Sequence, residues 1–195
     1  FVLFFVWGVV AAGWNLLTGY AGIYSLGNIG FLAIGGYVSG ILAKSLGLSP
    51  WITIPMGGIV TMVVVTLLLG LPALRLEGIY IALLTLIFAD TLPSILTQTR
   101  DITGGHMGLH DIPPFFSGME KVHAYYICFL FFLAAQYVIY RTIHSSTGMA
   151  FVALRDSEQF ASSLGVSRYK ERLKVFALSS LLTGLAGGFY VHSLG

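Results

Sequence analysis

Charge is the property that this sequence lacks most clearly. Only 9% of its 195 residues are Asp, Glu, Lys or Arg, whereas soluble domains carry about 25%. Hydrophobic residues make up 56% of the chain, and the mean hydropathy is +0.87. So few charges cannot cover a water-facing surface, which excludes a soluble globular domain.

The few charges are also unevenly placed. No charged residue precedes Lys44, none lies between Lys44 and Arg75, and none follows Lys174. A helix needs about 20 apolar residues to cross the roughly 30 Å hydrocarbon layer. We therefore predict an all-α, polytopic transmembrane bundle with about six spans. The spans are predicted at 1–17, 26–43, 51–74, 78–99, 123–140 and 173–192.

The sequence has a single cysteine, and its first residues do not have the pattern of a leader sequence. Cys128 is the single cysteine, so no disulfide can form within the chain. The N-terminus lacks Met and a basic region, and Phe1 leads straight into further apolar sequence, so we predict no signal peptide. We expect one transmembrane domain over 1–195, a fragment of a longer membrane protein that is incomplete at both ends.

Motifs for covalent chemistry are missing too. The sequence has no Gly-x-x-x-x-Gly-Lys-[Ser/Thr] phosphate loop and no nucleophile elbow, so any ATP hydrolysis would belong to another chain. His106, His110 and Asp111 lie close in sequence, but their segment is rich in Gly and Pro and offers no further evident ligand. We predict no catalytic residue, no metal site, no cofactor and no nucleic-acid partner.

Six of the ten Lys and Arg residues lie in one segment, 141–174. Basic residues near span ends favour the cytoplasmic side. With this segment inside, alternation along the spans gives seven basic residues inside and three outside. We therefore predict a cytoplasmic loop at 141–174, an external loop at 100–122 and a multi-pass membrane protein.

The basic segment contains a short amphipathic pattern. Residues 157–164 are predicted to form a helix that ends at Gly165, with Phe160, Ala161 and Leu164 as an apolar ridge. A helix outside the bilayer must cover such a ridge with lipid headgroups or with a partner protein. A partner is the favoured interpretation, and an interfacial helix without a partner is the alternative.

Polar residues within the apolar sequence suggest a solute pathway. The stretch 19–28 breaks the apolar pattern, as broken helices do where they line a transporter cavity, although a cytoplasmic turn explains it equally. Asp90 lies well inside a span, where carboxylates usually face the bundle interior or an aqueous path. A position near the outer interface, or a purely structural hydrogen bond, is the alternative. The predicted pathway residues are Gly19, Tyr20, Gly22, Ser25, Asn28 and Asp90.

Small residues recur one helical turn apart in the second span. Gly35 pairs with Ser39 in this spacing, and Gly36 pairs with Gly40. Such pairs let helix backbones approach closely inside a membrane, so we predict a packing face for a neighbouring helix here.

An ordered set of motifs resembles one known family. The set comprises NLLTGYAG at 15–22, SLG at 25–27, GLPALRLEGIY at 70–80, TGG at 103–105, GL at 108–109, and the stretch 148–165 followed by RYK at 168–170. In this order the motifs resemble the LivM-type inner-membrane permeases of branched-chain amino acid ABC importers, and their close relatives for urea and short amides. The resemblance covers essentially the whole chain.

The resemblance implies a permease subunit in the cell inner membrane that is not itself an enzyme. Its implied partners are cytoplasmic ABC ATPase subunits, a second homologous permease subunit, an extracytoplasmic solute-binding protein that docks near 103–111, and the lipid bilayer. The segment 156–165 resembles the coupling helix that docks on the ATPase, although Gln159 and Phe160 stand where the general importer pattern has Glu and Ala. The implied coupling residues are Asp156, Glu158, Gln159, Phe160, Ala161, Leu164 and Gly165.

Two alternatives stay open from the sequence. In the first alternative, the solute is urea or a short amide instead of a branched-chain amino acid. In the second alternative, the protein is a stand-alone channel or secondary transporter. In the second case Asp90 would gate the pathway or couple it to protons, and no ATPase would be needed. Co-purification of an ATPase would separate the importer from the channel.

Overall fold

A computed structural model describes residues 2–76, 78–110, 112 and 121–194, and every regular element within these ranges is a helix. The helices are α1 (Val2–Asn15), continued by a π-helical turn (Leu16–Tyr20); α2 (Asn28–Leu46); α3 (Pro50–Val65), continued by a second π-helical turn (Thr66–Gly70) and by α4 (Leu71–Ala73); α5 (Ile79–Gln98); α6 (Arg100–Thr103), followed by a 3₁₀ turn (Gly105–Met107); α7 (Lys121–Ile143); α8 (Ser146–Asp156); α9 (Glu158–Ser163); and α10 (Arg168–Leu194).

Six of these helical stretches are long and apolar enough to cross a membrane, which confirms the predicted number of spans. The last span begins at Arg168 and not near 173, because the charged turn before it is already helical. Of the predicted external loop 100–122, Asp111 and residues 113–120 lie outside the described residues, as do Phe1, Glu77 and Gly195.

Local sequence explains where the central helices begin and end. α2 stops at Leu46 because Gly47 adopts a left-handed conformation, with φ of 61°, that favours glycine. α3 starts at Pro50, a residue suited to the first turn of a helix because that turn needs no backbone donor there.

Consecutive spans run in opposite directions. At one end of the bundle, which we call the basic end, α8 lies beside the end of the first span, and the start of α10 lies beside the end of the third span, where Arg172 Nη1 donates to Ala73 O at 3.0 Å. At the opposite end, Lys44 Nζ donates to His110 O at 2.8 Å. The alternation that the charge pattern predicts therefore fits the fold, while the side of the membrane that each end faces stays a prediction.

The centre of the bundle is the packing of α10 against α2 and α3. Glycines permit this packing: a Cβ on Gly35 would overlap the backbone of Gly184, and a Cβ on Gly57 would lie 2.6 Å from Gly35 O. The predicted small-residue face of α2 is thus a packing face, as expected for helices that associate inside a membrane.

A buried polar cluster joins the same three helices near the opposite end. Ser39 Oγ lies 3.0 Å from His192 Nε2 and donates to Thr53 Oγ1 at 3.1 Å. Polar groups away from water are costly unless they are hydrogen-bonded, so these mutual contacts favour one arrangement of α2, α3 and α10.

Labelling tests the predicted orientation. Single cysteines at Ser162 on α9 and at Met107, both exposed positions at different ends of the bundle, are placed in a Cys128→Ser background. We expect an impermeant thiol reagent to reach the residue-107 site from outside only and the residue-162 site from inside only. The Cys128→Ser parent, which has no thiol, is the control, and labelling of both sites from one side would refute the orientation.

Candidate functional site

The break between the first two spans turns back into the bundle. After the π-helical turn, Ile23 N donates to Leu17 O at 2.9 Å, and Gly22 takes a positive φ of 66°, which reverses the chain. Residues 21–27 are not helical. We call them the re-entrant segment.

Two hydrogen bonds show how far the re-entrant segment goes. Trp14 Nε1 donates to Ser25 O at 2.8 Å, and Leu26 N donates to Thr85 Oγ1 at 3.0 Å. Trp14 lies six residues before Tyr20, and Thr85 lies six residues after Ile79, which is about 9 Å of helix rise. The segment therefore returns well inside the helical layer, and the alternative of a simple turn at the bundle end does not fit these contacts.

Ser25 and Asn28 meet at the tip of the re-entrant segment. Ser25 Oγ donates to Asn28 Oδ1 at 3.2 Å, and both side chains are buried. Asn28 Nδ2 has no hydrogen-bond partner among the described residues, although it is shielded from water. A buried donor without a partner is costly, so a movement that opens this amide to an oxygen of a solute would relieve that cost.

A groove of about 290 Å³ runs beside this pair. Its surface is almost entirely apolar and lies on the outer face of the chain. Asn28 and Ser25 are its polar members, and the other lining residues are Trp7, Val10, Ala11, Trp14, Leu26 and Ile29.

The remaining predicted pathway residues are not all brought together. Gly19 and Gly22 lie at the basic end of the re-entrant segment, next to α8. Tyr20 is half-buried in the last π-helical turn and does not line the groove. Asp90 is exposed on α5, outside the groove, on a helix that buries little of its surface against the rest of the chain.

The short helix in the basic segment is confirmed. Ser157 caps its start, with its Oγ accepting from Phe160 N at 3.4 Å. At its end, Gly165 has a φ of 84°, Val166 N donates to Ala161 O and Gly165 N donates to Ser162 O. This is a Schellman termination, which needs a glycine at the left-handed position.

The predicted apolar ridge of α9 is wrong in one member. Phe160 is 65% exposed and Leu164 is 67% exposed, whereas Ala161 is fully buried against its own chain. Ala161 faces the rest of the chain, where α9 lies next to α8. The exposed apolar surface of the segment is thus the pair Phe160 and Leu164, which we call the exposed pair.

Glu158 makes its contacts within the chain. Its carboxylate forms ion pairs with Arg168 and with Arg172, whose Nη2 lies 3.5 Å from Glu158 Oε2. Arg172 also donates to Ala73 O and Leu76 O, both at 3.0 Å. These contacts connect α9 to the start of α10 and, through Arg172, to the end of the third span. Glu158 therefore fixes the orientation of α9 relative to the spans. Gln159 is exposed.

Sequence reasoning missed Arg155. Its Nη1 donates to Gly19 O at 2.8 Å, across 136 residues of sequence, and Asp156 Oδ1 accepts from its Nε at 3.0 Å. Asp156 therefore holds Arg155, which is its role in the described chain. Only the concentration of basic residues in this segment pointed here, and it did not single out one arginine.

A cavity of about 250 Å³ lies between the basic segment and the re-entrant segment. Arg155, Arg168 and Arg172 line it together with Asp156, Glu158 and Glu171. Glu171 Oε1 pairs with Lys174 at 2.7 Å, while Oε2 has no hydrogen-bond partner among the described residues. The basic end is thus a mixed-charge environment in which neighbouring elements are held by ion pairs. No group of three or more His, Cys, Asp or Glu that could hold a metal ion occurs in the part of the chain that the structure describes.

Comparison with known proteins gives a consistent result. Residues 1–195 match the family described as "Branched-chain amino acid transport system / permease component". Two relatives named "High-affinity branched-chain amino acid transport system permease protein LivM", from Salmonella typhimurium and Escherichia coli K12, are each 30% identical over 96% of this chain and 50% of their own length. A "Probable branched-chain amino acid transport permease protein LivM" from Methanocaldococcus jannaschii is 25% identical over 93% of this chain and 63% of its own length.

Two further findings describe the extent of the match. The chain spans about half the length of the first two curated relatives it matches. No solved structure matches it significantly.

Proposed function

Because this chain belongs to the family of permease components of branched-chain amino acid transport systems, we propose that it forms one half of the membrane pathway of an ATP-driven importer for branched-chain amino acids. A second, homologous permease subunit completes the pathway in the cell inner membrane. Cytoplasmic ATPase subunits supply the energy, and an extracytoplasmic binding protein delivers the solute. The subunit itself performs no covalent chemistry.

The exposed pair on α9 is the observation that carries this proposal. Phe160 and Leu164 lie on a short helix outside the spans, and about two thirds of each side chain is exposed. The helix is capped at both ends, Ala161 is buried on its inner side, and Glu158 forms an ion pair with Arg168 of α10. A firmly held helix with a large apolar face suits a protein partner, because anchors at interfaces are usually apolar side chains on a rigid support.

The groove beside Ser25 and Asn28 supports the solute pathway. It lies on the outer face of the chain and not inside it, where a second permease subunit would close it into a channel. The re-entrant segment supplies non-helical backbone at this depth, which membrane proteins tolerate where it is buried in protein or lines a cavity.

The lining of the groove favours an aliphatic solute over urea. The lining is almost entirely apolar and includes Trp7, Val10 and Ile29, and the unpaired Asn28 amide is a donor for one oxygen. A branched side chain would bury apolar surface there at about 25 cal/mol per Å². Urea offers no apolar surface and would lose hydrogen bonds to water.

A stand-alone channel or secondary transporter is the second candidate. Asp90 is the observation that favours it, because a carboxylate within a span is a usual element of proton coupling. The exposed pair favours the importer, since a channel has no need of such a surface.

Transport by the reconstituted complex tests the proposal. The full-length protein is purified with its second permease and ATPase subunits and placed in vesicles with the binding protein and ATP. We expect leucine, isoleucine or valine to stimulate ATP hydrolysis and to accumulate in the lumen that corresponds to the cytoplasm, whereas urea and acetamide do neither. Uptake without any ATPase would support the channel. Stimulation by urea alone would show that the solute is urea or a short amide and not a branched-chain amino acid.

Replacing Asn28 tests the groove. Asn28→Leu keeps the branched shape of the side chain at a larger volume, and it removes both the unpaired Nδ2 donor and the Oδ1 that accepts from Ser25. A hydrogen bond to a charged oxygen is worth about 1.5–3 kcal/mol, so we expect the half-saturating solute concentration for uptake to rise at least tenfold with little change in maximal rate.

Thr66→Val is the matched control for Asn28→Leu. Thr66 Oγ1 is also buried without a hydrogen-bond partner among the described residues, but it does not line the groove. We expect the half-saturating solute concentration of the Thr66→Val variant to equal that of the wild type. Equal values for wild type and Asn28→Leu would remove the groove from the pathway.

A further inference from the structure

The contact between Arg155 and the re-entrant segment joins the two functional regions described above. We propose that Arg155 is a positioning residue that transmits movement of α9 to the groove, an inference that rests on the proposed function. A displacement of the exposed pair by the ATPase moves the end of α8, and Arg155 carries that displacement to Gly19 and Gly22. The re-entrant segment then changes the position of Ser25 and Asn28.

Arg155 holds the start of the re-entrant segment at its carbonyl. The last carbonyls of a helix lack partners within the helix, and those of Leu16 and Leu17 accept from Ala21 N and Ile23 N. Gly19 O accepts instead from Arg155 Nη1 at 2.8 Å. A guanidinium is well suited to this place, because a cation is favourable at the C-terminal end of a helix.

The stem of Arg155 also fits against Gly22. A Cβ on Gly22 would lie 2.6 Å from Arg155 Cγ, and Gly22 has a positive φ of 66°. The arginine thus contacts the residue at which the chain reverses as well as the last helical turn. Both contacts involve glycines, so the arginine side chain lies directly against the backbone of this turn.

The same face of α8 presents a second side chain to this region. Phe151 lies one helical turn before Arg155, and residues four apart share a helix face. It belongs to the buried cluster that contains Leu16, Leu17 and Ile23. The apolar contact keeps α8 and the end of the first span together, while the polar contact of Arg155 fixes their relative position.

Arg155 lies two residues before the N-cap of α9, so the backbone links it to that helix. Asp156 Oδ1 lies 3.0 Å from Arg155 Nε and 2.9 Å from Nη2, which fixes the plane of the guanidinium. Ser157, the next residue, is the N-cap of α9. Glu158 instead ties α9 to α10 and the third span, and α10 itself packs on the first span. The contact through α8 is the one that meets the start of the re-entrant segment directly.

Coupling stoichiometry tests the proposal. Arg155→Ala and Arg155→Lys are made in the full-length protein of the assembled complex, and solute uptake per ATP hydrolysed is measured together with ATPase co-purification. We expect Arg155→Ala to keep the ATPase bound and the basal hydrolysis rate unchanged, but to lower uptake per ATP about tenfold. Arg155→Lys retains one cationic donor and should recover part of the ratio. Arg141→Ala, which removes a basic residue of the same segment at the end of α7, should leave the ratio unchanged.

A double-substitution cycle distinguishes positioning from general damage. Gly22→Ala places a methyl against the Arg155 stem, so it should lower uptake per ATP in the wild-type background. In the Arg155→Ala background Cγ and the atoms beyond it are gone, so Gly22→Ala should add only the loss that comes from placing Ala at a positive φ, which is smaller than its loss in the wild-type background. Additive losses would overturn the proposal.

The remaining outcomes are also decisive. A wild-type uptake ratio in Arg155→Ala, or loss of the ATPase from that variant, overturns the positioning role and leaves the proposed function standing. A wild-type complex that binds no ATPase and transports without ATP overturns the proposed function itself, and the role of Arg155 falls with it.

Discussion

Gly187→Ala is expected to prevent formation of the native bundle, although it adds a single methyl group. A Cβ at this position would overlap Leu32 O and would lie 2.8 Å from Gly36 N. These are backbone atoms of α2, so no rotamer change can relieve the contact and α10 must move away from α2. We expect a loss of more than about 3 kcal/mol, above the typical range for an overpacked core, with little folded protein recovered in detergent.

The sign of the effect makes this test informative. Ala is about 1 kcal/mol more favourable than Gly inside a helix, so helix propensity alone predicts stabilisation. Thermal unfolding monitored by tryptophan fluorescence, with the yield of monodisperse protein, measures the outcome. An unfolding temperature equal to or above that of the wild type would show that α2 and α10 are not in backbone contact.

Gly70→Ala is the matched control. It adds the same methyl group to a residue with helical angles, φ −60° and ψ −48°. The nearest atom to its Cβ would be the flexible end of Leu173, at 3.2 Å. We expect it to be close to neutral or slightly stabilising, which separates the effect of the α2–α10 contact from the general cost of substituting glycine in this protein.

Replacing both Phe160 and Leu164 by Arg is expected to abolish association with the ATPase while leaving the subunit folded. The two side chains are mostly exposed, so their replacement removes little packing within the chain. At an interface, apolar anchors contribute about 2 kcal/mol or more each, so losing two weakens binding at least several hundredfold. Affinity purification of the complex from membranes measures the association, and uptake should fall to background.

Phe160→Leu combined with Leu164→Phe is the control for this pair. The exchange retains apolar surface of similar total size, so association should persist with at most a modest loss. Normal ATPase association in the double Arg variant would mean that α9 does not dock on a partner, and the channel would then be the better function. Ala161→Arg is unsuitable for this purpose, because Ala161 is buried and the substitution would unfold the segment itself.

The spans were predictable because hydropathy and helix length act locally. Six charge-poor stretches gave six membrane helices, and Ser157 and Gly165 marked the ends of α9 correctly, since capping depends on a few neighbouring residues. The small-residue face of α2 was predictable for the same reason: the spacing of Gly35 and Ser39 appears in the sequence itself.

The site depends on long-range contacts that no local pattern encodes. Ala161 turned inward and Phe160 outward because α8 lies on one side of α9, and an amphipathic pattern alone does not say which face meets the rest of the chain. The depth of the re-entrant segment rests on the bond from Leu26 N to Thr85, 59 residues away. Arg155 donates to Gly19 O, which is 136 residues distant.

The exposed position of Asp90 affects the stability of this protein in the membrane. In a bilayer without its neighbours, α5 would present that carboxyl to acyl chains, at a cost of about 2.5–3.5 kcal/mol if the residue lies near the helix centre. A further helix that packs on α5, whether from the rest of the protein or from another subunit, would remove this cost. We therefore expect the face of α5 that carries Asp90 to be covered in the assembled membrane protein.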